Sequence, residues 1–362
     1  MGTLIPFWFI VITVLWTGFF VLEGFDFGVG MLHSALGRDE ASRRAAINTI
    51  GPLWDGNEVW LIVAGAAMFA AFPGWYATMF SGMYLAMVLL LASLIIRGVA
   101  FEYRGKHDAT RWRHTWDWLL VAGSLLSPLL IGIALADLLL GLPIDSSQNY
   151  TGSFWDLLRP YSVFAGVTLV LVCLLHGATF LGLKTTAEML ERSGKVARRV
   201  APFTCGFVIG FIIWTHVTAS TTFFLNLIEL LAILAVLAAV SLVYAHRPGW
   251  AFAATTVTIA SCILAIFVDL YPNVMVSSTS AANNLTVHNT ASDHYSLTAM
   301  TVVVVIFLPL VLLYQAWTYY VFRRRVSAAD FRPPPRPRPP ADADVARPPT
   351  SGIRRPASHR RT

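Results

Sequence analysis

The chain has 362 residues, of which 56% are apolar and only 13% charged. A soluble protein of this size carries about twice that charged fraction, so the composition excludes an ordinary soluble enzyme and points to a membrane protein. The net charge of +6 would suit a nucleic-acid binder, but the arginines and lysines stand between hydrophobic runs and in the tail, where they report membrane orientation and not a nucleic-acid surface.

Runs of about 20 apolar residues span a bilayer. Such runs fall near 4–31, 55–72, 77–99, 116–141, 160–183, 200–220, 223–245, 251–271 and 296–322. This predicts an all-α polytopic membrane protein with nine transmembrane helices. The first run lacks a basic leader and a cleavage site, so it is expected to remain as a helix. The sixth and seventh are separated because one continuous helix across both would be too long for the bilayer. Basic residues follow helices 1, 3, 5, 7 and 9, including Arg38, Arg104, Lys184, Arg247 and Arg323, whereas the even connections contain only Arg159. By the positive-inside rule the N-terminus is outside and the C-terminus cytoplasmic.

Residues 38–51 are polar enough to lie along the inner interface before Pro52. The outer connection 271–295 is rich in Ser, Thr and Asn, and no strand-like alternation is apparent. The chain divides into a transmembrane domain, 1–330, and a Pro/Arg-rich cytoplasmic tail, 331–362, expected to be disordered.

Charges inside a bilayer are costly and therefore mark functional sites. Glu23 and Asp26 lie in the inner half of helix 1, Asp55 and Glu58 open helix 2, and Arg97 falls in the last turns of helix 3. Each acid pair is three apart and shares a helix face. Trp54 and Asn57 flank the second pair, and Gly24, Gly28, Gly30 and Gly56 permit close backbone approach and room for water. Two readings of this cluster stand side by side. It is either a proton relay or a static salt-bridged joint, and the two are compatible if Arg97 neutralises some acids while Asp55 relays.

Histidine offers no obvious pair of axial haem ligands, and His176 reads as a hydrogen-bonded core residue. No HxxxH pair stands on one helix face, so no metal site is expected. Cys173, Cys205 and Cys262 occur singly in apolar runs and read as small core residues. Tryptophans and tyrosines such as Trp75, Trp112, Trp118 and Trp317 fit interfacial anchors. Outward aromatic and small-residue faces suit membrane lipid, a structural quinone or a partner subunit.

Gly24-Phe25-Asp26-Phe27-Gly28-Val29-Gly30-Met31, Trp54-Asp55-Gly56-Asn57-Glu58-Val59-Trp60-Leu61, Ala92-Ser93-Leu94-Ile95-Ile96-Arg97 and Trp116-Asp117-Trp118 follow one another across the N-terminal third. Later come Tyr150-Thr151-Gly152-Ser153-Phe154, Tyr271-Pro272 and Leu313-Tyr314-Gln315-Ala316-Trp317. In order and spacing these motifs resemble subunit II of the cytochrome bd quinol oxidases, over roughly residues 4 to 322.

The resemblance implies a complex in the bacterial plasma membrane that oxidises quinol, reduces O2 to water and draws its protons from the cytoplasm. It implies two four-helix bundles plus a peripheral helix. It implies a haem-bearing subunit I, with haem b and haem d, as partner, and no haem or metal on this chain. A small single-helix accessory subunit belongs to the same set of partners. The resemblance carries a proton path to Asp55 first, with Glu23, Asp26 and Glu58 beside it and Trp54, Asn57 and Arg97 in support. The alternative, from a different class, is a proton-coupled transporter that uses the same acids to couple solute movement.

Overall fold

The first apolar run folds into a helix longer than expected, α1 (Leu4–Leu36). It continues past Met31 because His33 is satisfied inside the protein, its Nδ1 against Gly30 O at 2.7 Å and its Nε2 against Asp117 at 2.9 Å. The computed structural model describes residues 3–219 and 225–332. The expected tail at 331–362 therefore lies, from residue 333 onward, outside the described residues, while Phe331 closes a short 3-10 turn, Ala328–Phe331.

The interfacial segment forms α2 (Glu40–Ile50). Asp39 caps it, accepting from Ser42 N at 2.8 Å, and Ala41, Ala45, Ala46 and Ile50 bury one face. The expected second and third spans become three helices, α3 (Trp54–Ala71), α4 (Pro73–Gly82) and α5 (Tyr84–Tyr103). Pro73 has no N–H to donate and takes the first position of a new helix. The remaining helices are α6 (Thr110–Leu140), α7 (Pro160–Lys184), α8 (Ala187–Ala219), α9 (Leu227–Tyr244), α10 (Pro248–Leu270) and α11 (His294–Val321). Eight of these described helices, all except α2, α3 and α4, are long and apolar enough to cross a membrane.

Helix α8 starts at Ala187 and not near residue 200, because the basic connection before it is itself helical. Glu188 pairs with Arg192, and Glu191 with Lys195 at 2.6 Å, both one turn apart. The separation of α8 from α9 has a local cause. The Asn226 side chain accepts from Ile228 N and Glu229 N at 3.0 and 2.9 Å, and Glu229 accepts from Asn226 N at 2.6 Å. This capping box starts a new helix.

The connection 271–295 corrects the expectation of no strand. It contains a two-stranded antiparallel pair, β1 (Asn273–Met275) and β2 (Leu285–Thr286). The strands are too short for alternation to show in sequence. Side chains build the rest of the connection: Asn284 Oδ1 accepts from Ser277 N at 2.8 Å, and Asn289 Oδ1 from Thr286 N at 2.7 Å.

Helix α1 is the axis of the fold and packs on α3, α6, α7 and α10. Its closest neighbour is α7, where Gly28 faces Gly177 backbone to backbone. A Cβ on Gly28 would stand 2.0 Å from the Cys173 carbonyl oxygen, and one on Gly177 2.4 Å from the Gly28 carbonyl carbon. In lipid, such small-residue contacts allow the van der Waals packing that holds helices together. Gly28→Ala is expected to separate the two helices and destabilise the protein by about 1–3 kcal/mol or more. Thermal melting of the purified protein checks this, and a melting point equal to wild type would sink it.

Contacts between connections define two ends of the bundle. At one end, Ser292 N donates to Ala71 O at 2.9 Å and Ser278 N to Leu142 O at 2.8 Å. At the other, Val326 N donates to Lys184 O at 2.8 Å and Arg192 Nη1 to Leu36 O at 2.8 Å. The second end holds the arginine-rich connections. Helix α11 rests mainly on α1 and α3 and buries only Leu297.

Candidate functional site

The site occupies the half of the bundle nearer the basic end, where α1, α3, α5 and α11 meet. Glu23, Asp26, Asn57 and Arg97 are all fully buried. Arg97 is the sole guanidinium among them. Its Nη1 lies 2.5 Å from Glu23 Oε1 and 3.5 Å from Glu58 Oε2. Its flat face is enclosed by rings, with Cζ 4.9 Å from the Phe27 centroid and 5.2 Å from that of Phe101.

The Glu23 contact is ionic and does not align as a hydrogen bond. Both Glu23 oxygens, Arg97 Nε and Nη2, and Asp26 Oδ1 have no hydrogen-bonding protein partner. Three carboxyls thus share one guanidinium in a setting where charge is expensive.

Asn57 is the hub between Asp26 and α11. Its Nδ2 donates to Asp26 Oδ2 at 2.7 Å and to Leu22 O at 3.3 Å. Its Oδ1 accepts from Gln315 Nε2 at 2.9 Å and from the Tyr319 hydroxyl at 2.8 Å. Trp54 lies against Phe101, ring centroids 5.0 Å apart.

The structure brings Glu23, Asp26, Glu58, Asn57 and Arg97 together, with Asp55 one turn before Glu58 at the exposed edge of the group and out of contact with Arg97. Asp55 is exposed, on the α3 face that also exposes Val59, Ile62 and Phe69. Of the four glycines expected to admit close approach, Gly28 and Gly30 do so, a Cβ on Gly30 meeting Ser124 Oγ at 2.1 Å. Gly56 faces the Gln315 side chain, with Oε1 3.7 Å from where its Cβ would stand.

Sequence reasoning missed several polar groups. Gln315 and Tyr319 are polar positions in an otherwise apolar helix, and that was the available signal. Asp117 is buried between His33, Arg43 and Arg104, with contacts of 2.9, 3.1 and 2.5 Å. Arg104 also grips Glu40 at 2.9 and 3.0 Å. Partial burial pushes the Glu40 carboxyl up, but the Arg104 bonds and charge more than offset it, so it lies below the usual carboxylate range. At the opposite end, Asp137 accepts from Ser162 at 2.5 Å and Arg159 at 3.2 Å, and Glu229 meets His216 at 3.0 Å. Asp137 and Glu229 are acids in apolar runs, so the rule that found Glu23 would have found them too.

His176 is held on both ring nitrogens, by Thr255 Oγ1 at 2.7 Å and Val21 O at 3.2 Å. His33 is held by Gly30 and Asp117, and Met68 Sδ accepts from Trp16 Nε1 at 3.3 Å. These residues do not fit axial ligation of a haem. Among the described residues no three His, Cys, Asp or Glu side chains gather as a metal site. Trp75, expected as an interfacial anchor, is fully buried instead.

The chain is 43% identical over 333 residues to cytochrome bd ubiquinol oxidase subunit 2 of Bacillus subtilis, covering 90% of this chain and 98% of that one. It is 38% identical over 362 residues to cytochrome bd-I ubiquinol oxidase subunit 2 of Escherichia coli K12, covering 89% and 95%. The fold is similar to a chain in the structure of bd oxidase from Geobacillus thermodenitrificans, with a TM-score of 0.70 at 19% identity, over 88% of this chain and 99% of that chain. The family model described as cytochrome bd terminal oxidase subunit II matches residues 4–322, and with these relatives it shows that the chain belongs to that family.

Proposed function

We propose that this chain works as subunit II of a cytochrome bd quinol oxidase in the bacterial plasma membrane, supporting proton uptake for the reduction of O2 to water. The function of the complex comes with the family: its members named above are subunits of ubiquinol oxidases. The share of this chain in that reaction is read from the Glu23–Asp26–Glu58–Arg97 cluster beside an exposed Asp55.

In this reading nine helices cross the membrane, α3 being the ninth and α4 with α5 making one broken span. They form two four-helix bundles, with α11 as the peripheral helix. The N-terminus is outside and the basic end cytoplasmic. Protons enter at that end. Glu23, Asp26 and Glu58 then outnumber Arg97, and Glu23 Oε2 and Asp26 Oδ1, which no protein donor reaches, are free to take a proton or bond the water that brings it. Arg97 keeps the group from repelling itself apart. Asp55 hands protons outward across the α3 face, where Val59, Ile62 and Phe69 offer an apolar contact surface for subunit I. The haems reside in that partner, in keeping with the occupied His176, His33 and Met68 here. A structural quinone, and a small single-helix accessory subunit, belong to the same reading as occupants of the outward apolar faces.

The test is Asp55→Asn in the assembled complex. Quinol-driven oxygen consumption is expected to fall by about a hundredfold or more, the usual reach of a lost proton-transfer group, with the haem spectrum unchanged. Unchanged activity would favour the static joint, and loss of haem would make Asp55 an assembly determinant. The transporter reading is not favoured by the family membership. A colourless chain that moves solute in liposomes without subunit I would revive it.

A further inference from the structure

A cavity of about 660 Å3 opens at the basic end between α7, α8 and α10, and none of the acid-cluster residues lines it. Its rim holds Arg198, His246, Arg247 and Arg325, and its floor is small and apolar, with Ala178, Gly182 and Ala251. Arg247 and Arg325 are exposed and Arg198 half-buried. The one acid on the rim, Glu191, is already engaged by Lys195 at 2.6 Å. Arg247, the cap of α10, and Pro248, its first residue, lie in the wall, and Arg247 with Arg198 and Arg325 gives the cavity three guanidiniums.

Depth in the membrane bears on the ligand. Trp250, one turn into α10, is exposed, as an aromatic at the headgroup level is. A cavity at this level, with a basic rim and an apolar floor, matches a headgroup with its glycerol better than a free ion. Basic pockets between transmembrane helices take anionic headgroups for these reasons. We propose that the cavity binds the phosphodiester headgroup of an anionic phospholipid, the guanidiniums of Arg198, Arg247 and Arg325 holding the phosphate and the Ala178–Gly182–Ala251 floor receiving the glycerol. The inference is independent of the proton path and takes from the reading above only the orientation, which makes the lipid a cytoplasmic-leaflet one.

The experiment measures binding of short-chain phosphatidylglycerol and, separately, phosphatidylcholine of the same chains to the purified two-subunit complex, by native mass spectrometry. Phosphatidylglycerol is expected to bind at least about tenfold tighter. Arg247→Gln or Arg325→Gln alone is expected to weaken it about fivefold, roughly the effect of one basic residue at a membrane surface. The triple replacement Arg198→Gln/Arg247→Gln/Arg325→Gln is expected to abolish the preference, with the haem spectrum and oxygen consumption reporting an intact complex. Inorganic phosphate is the competing arm. If it displaces the lipid at equal concentration, the site takes free phosphate and the lipid assignment falls. Equal binding of the two lipids, or variants that bind like wild type, would overturn the proposal. Should the triple variant fail to assemble, the two exposed single replacements decide the matter by the same measure.

Discussion

Replacing Arg97 by glutamine is expected to destabilise the protein by about 3–5 kcal/mol, the cost of leaving buried acids without their counter-charge. Glu23, 2.5 Å from the guanidinium and fully buried, loses the one cation paired with it among the described residues, and Phe27 and Phe101 lose the plane packed between them. Lysine is not expected to rescue, because a compact ammonium cannot reach Glu23 and Glu58 while filling the space between two rings. The informative variant is the double replacement Arg97→Leu/Glu23→Leu. Exchanging both members of a buried pair for apolar residues of similar volume is often neutral or stabilising, so the melting temperature and haem content of the complex are expected to recover. Oxygen consumption is expected to stay low, because the acids that remain have lost both their proton-sharing neighbour and their cation. Recovery of full turnover in the double variant would show that the pair is only a joint between α1 and α5, and the proton-relay reading of the cluster would fail.

The limits of sequence reading follow from the same residues. Hydropathy located eight of the nine expected spans as long apolar helices, because the length and apolarity of a membrane helix are set by the bilayer itself. The breaks at Phe72 and Met83 were less legible. Pro73 gave a local signal for the first, but nothing in Gly82-Met83-Tyr84 distinguishes a break from a continuous span. Helical phase paired Glu23 with Asp26 and Asp55 with Glu58, and three of these four acids lie with Arg97. Phase alone does not tell which way a face points. Asp55 and Glu58 are one turn apart, yet Glu58 reaches inward to Arg97 while Asp55 is exposed. The rotation of α3 decides this, and that rotation is set by Asn57 bonding Asp26, Gln315 and Tyr319. Two of those partners lie more than 250 residues away along the chain, beyond any local pattern.

Asn57→Asp is expected to change the pH dependence of turnover more than the stability of the fold. The substitution keeps the size and leaves an oxygen to accept from Gln315 and Tyr319, but it turns the donor facing Asp26 Oδ2 at 2.7 Å into a second carboxyl oxygen. Two carboxyls at that distance stay together only by sharing a proton. The sign follows directly: the shared proton is bound as pH falls and lost as it rises. Oxygen consumption by the variant is therefore expected to approach wild type in acid and to drop by about tenfold or more toward alkaline pH, where one lost proton-transfer contact has its full effect. Asn57→Leu behaves differently, since it orphans Asp26 Oδ2, the Gln315 amide and the Tyr319 hydroxyl together, each at about 1–3 kcal/mol. Because α11 buries only Leu297, that variant is expected to loosen α11 and lower the yield of assembled complex at every pH. Tyr319→Phe removes one bond of the set and is expected to cost about 0.5–1.5 kcal/mol without moving the pH profile. A pH profile for Asn57→Asp that superimposes on wild type would mean that protons do not pass by Asp26, and that the Asn57 amide serves only to hold α11 against α1 and α3.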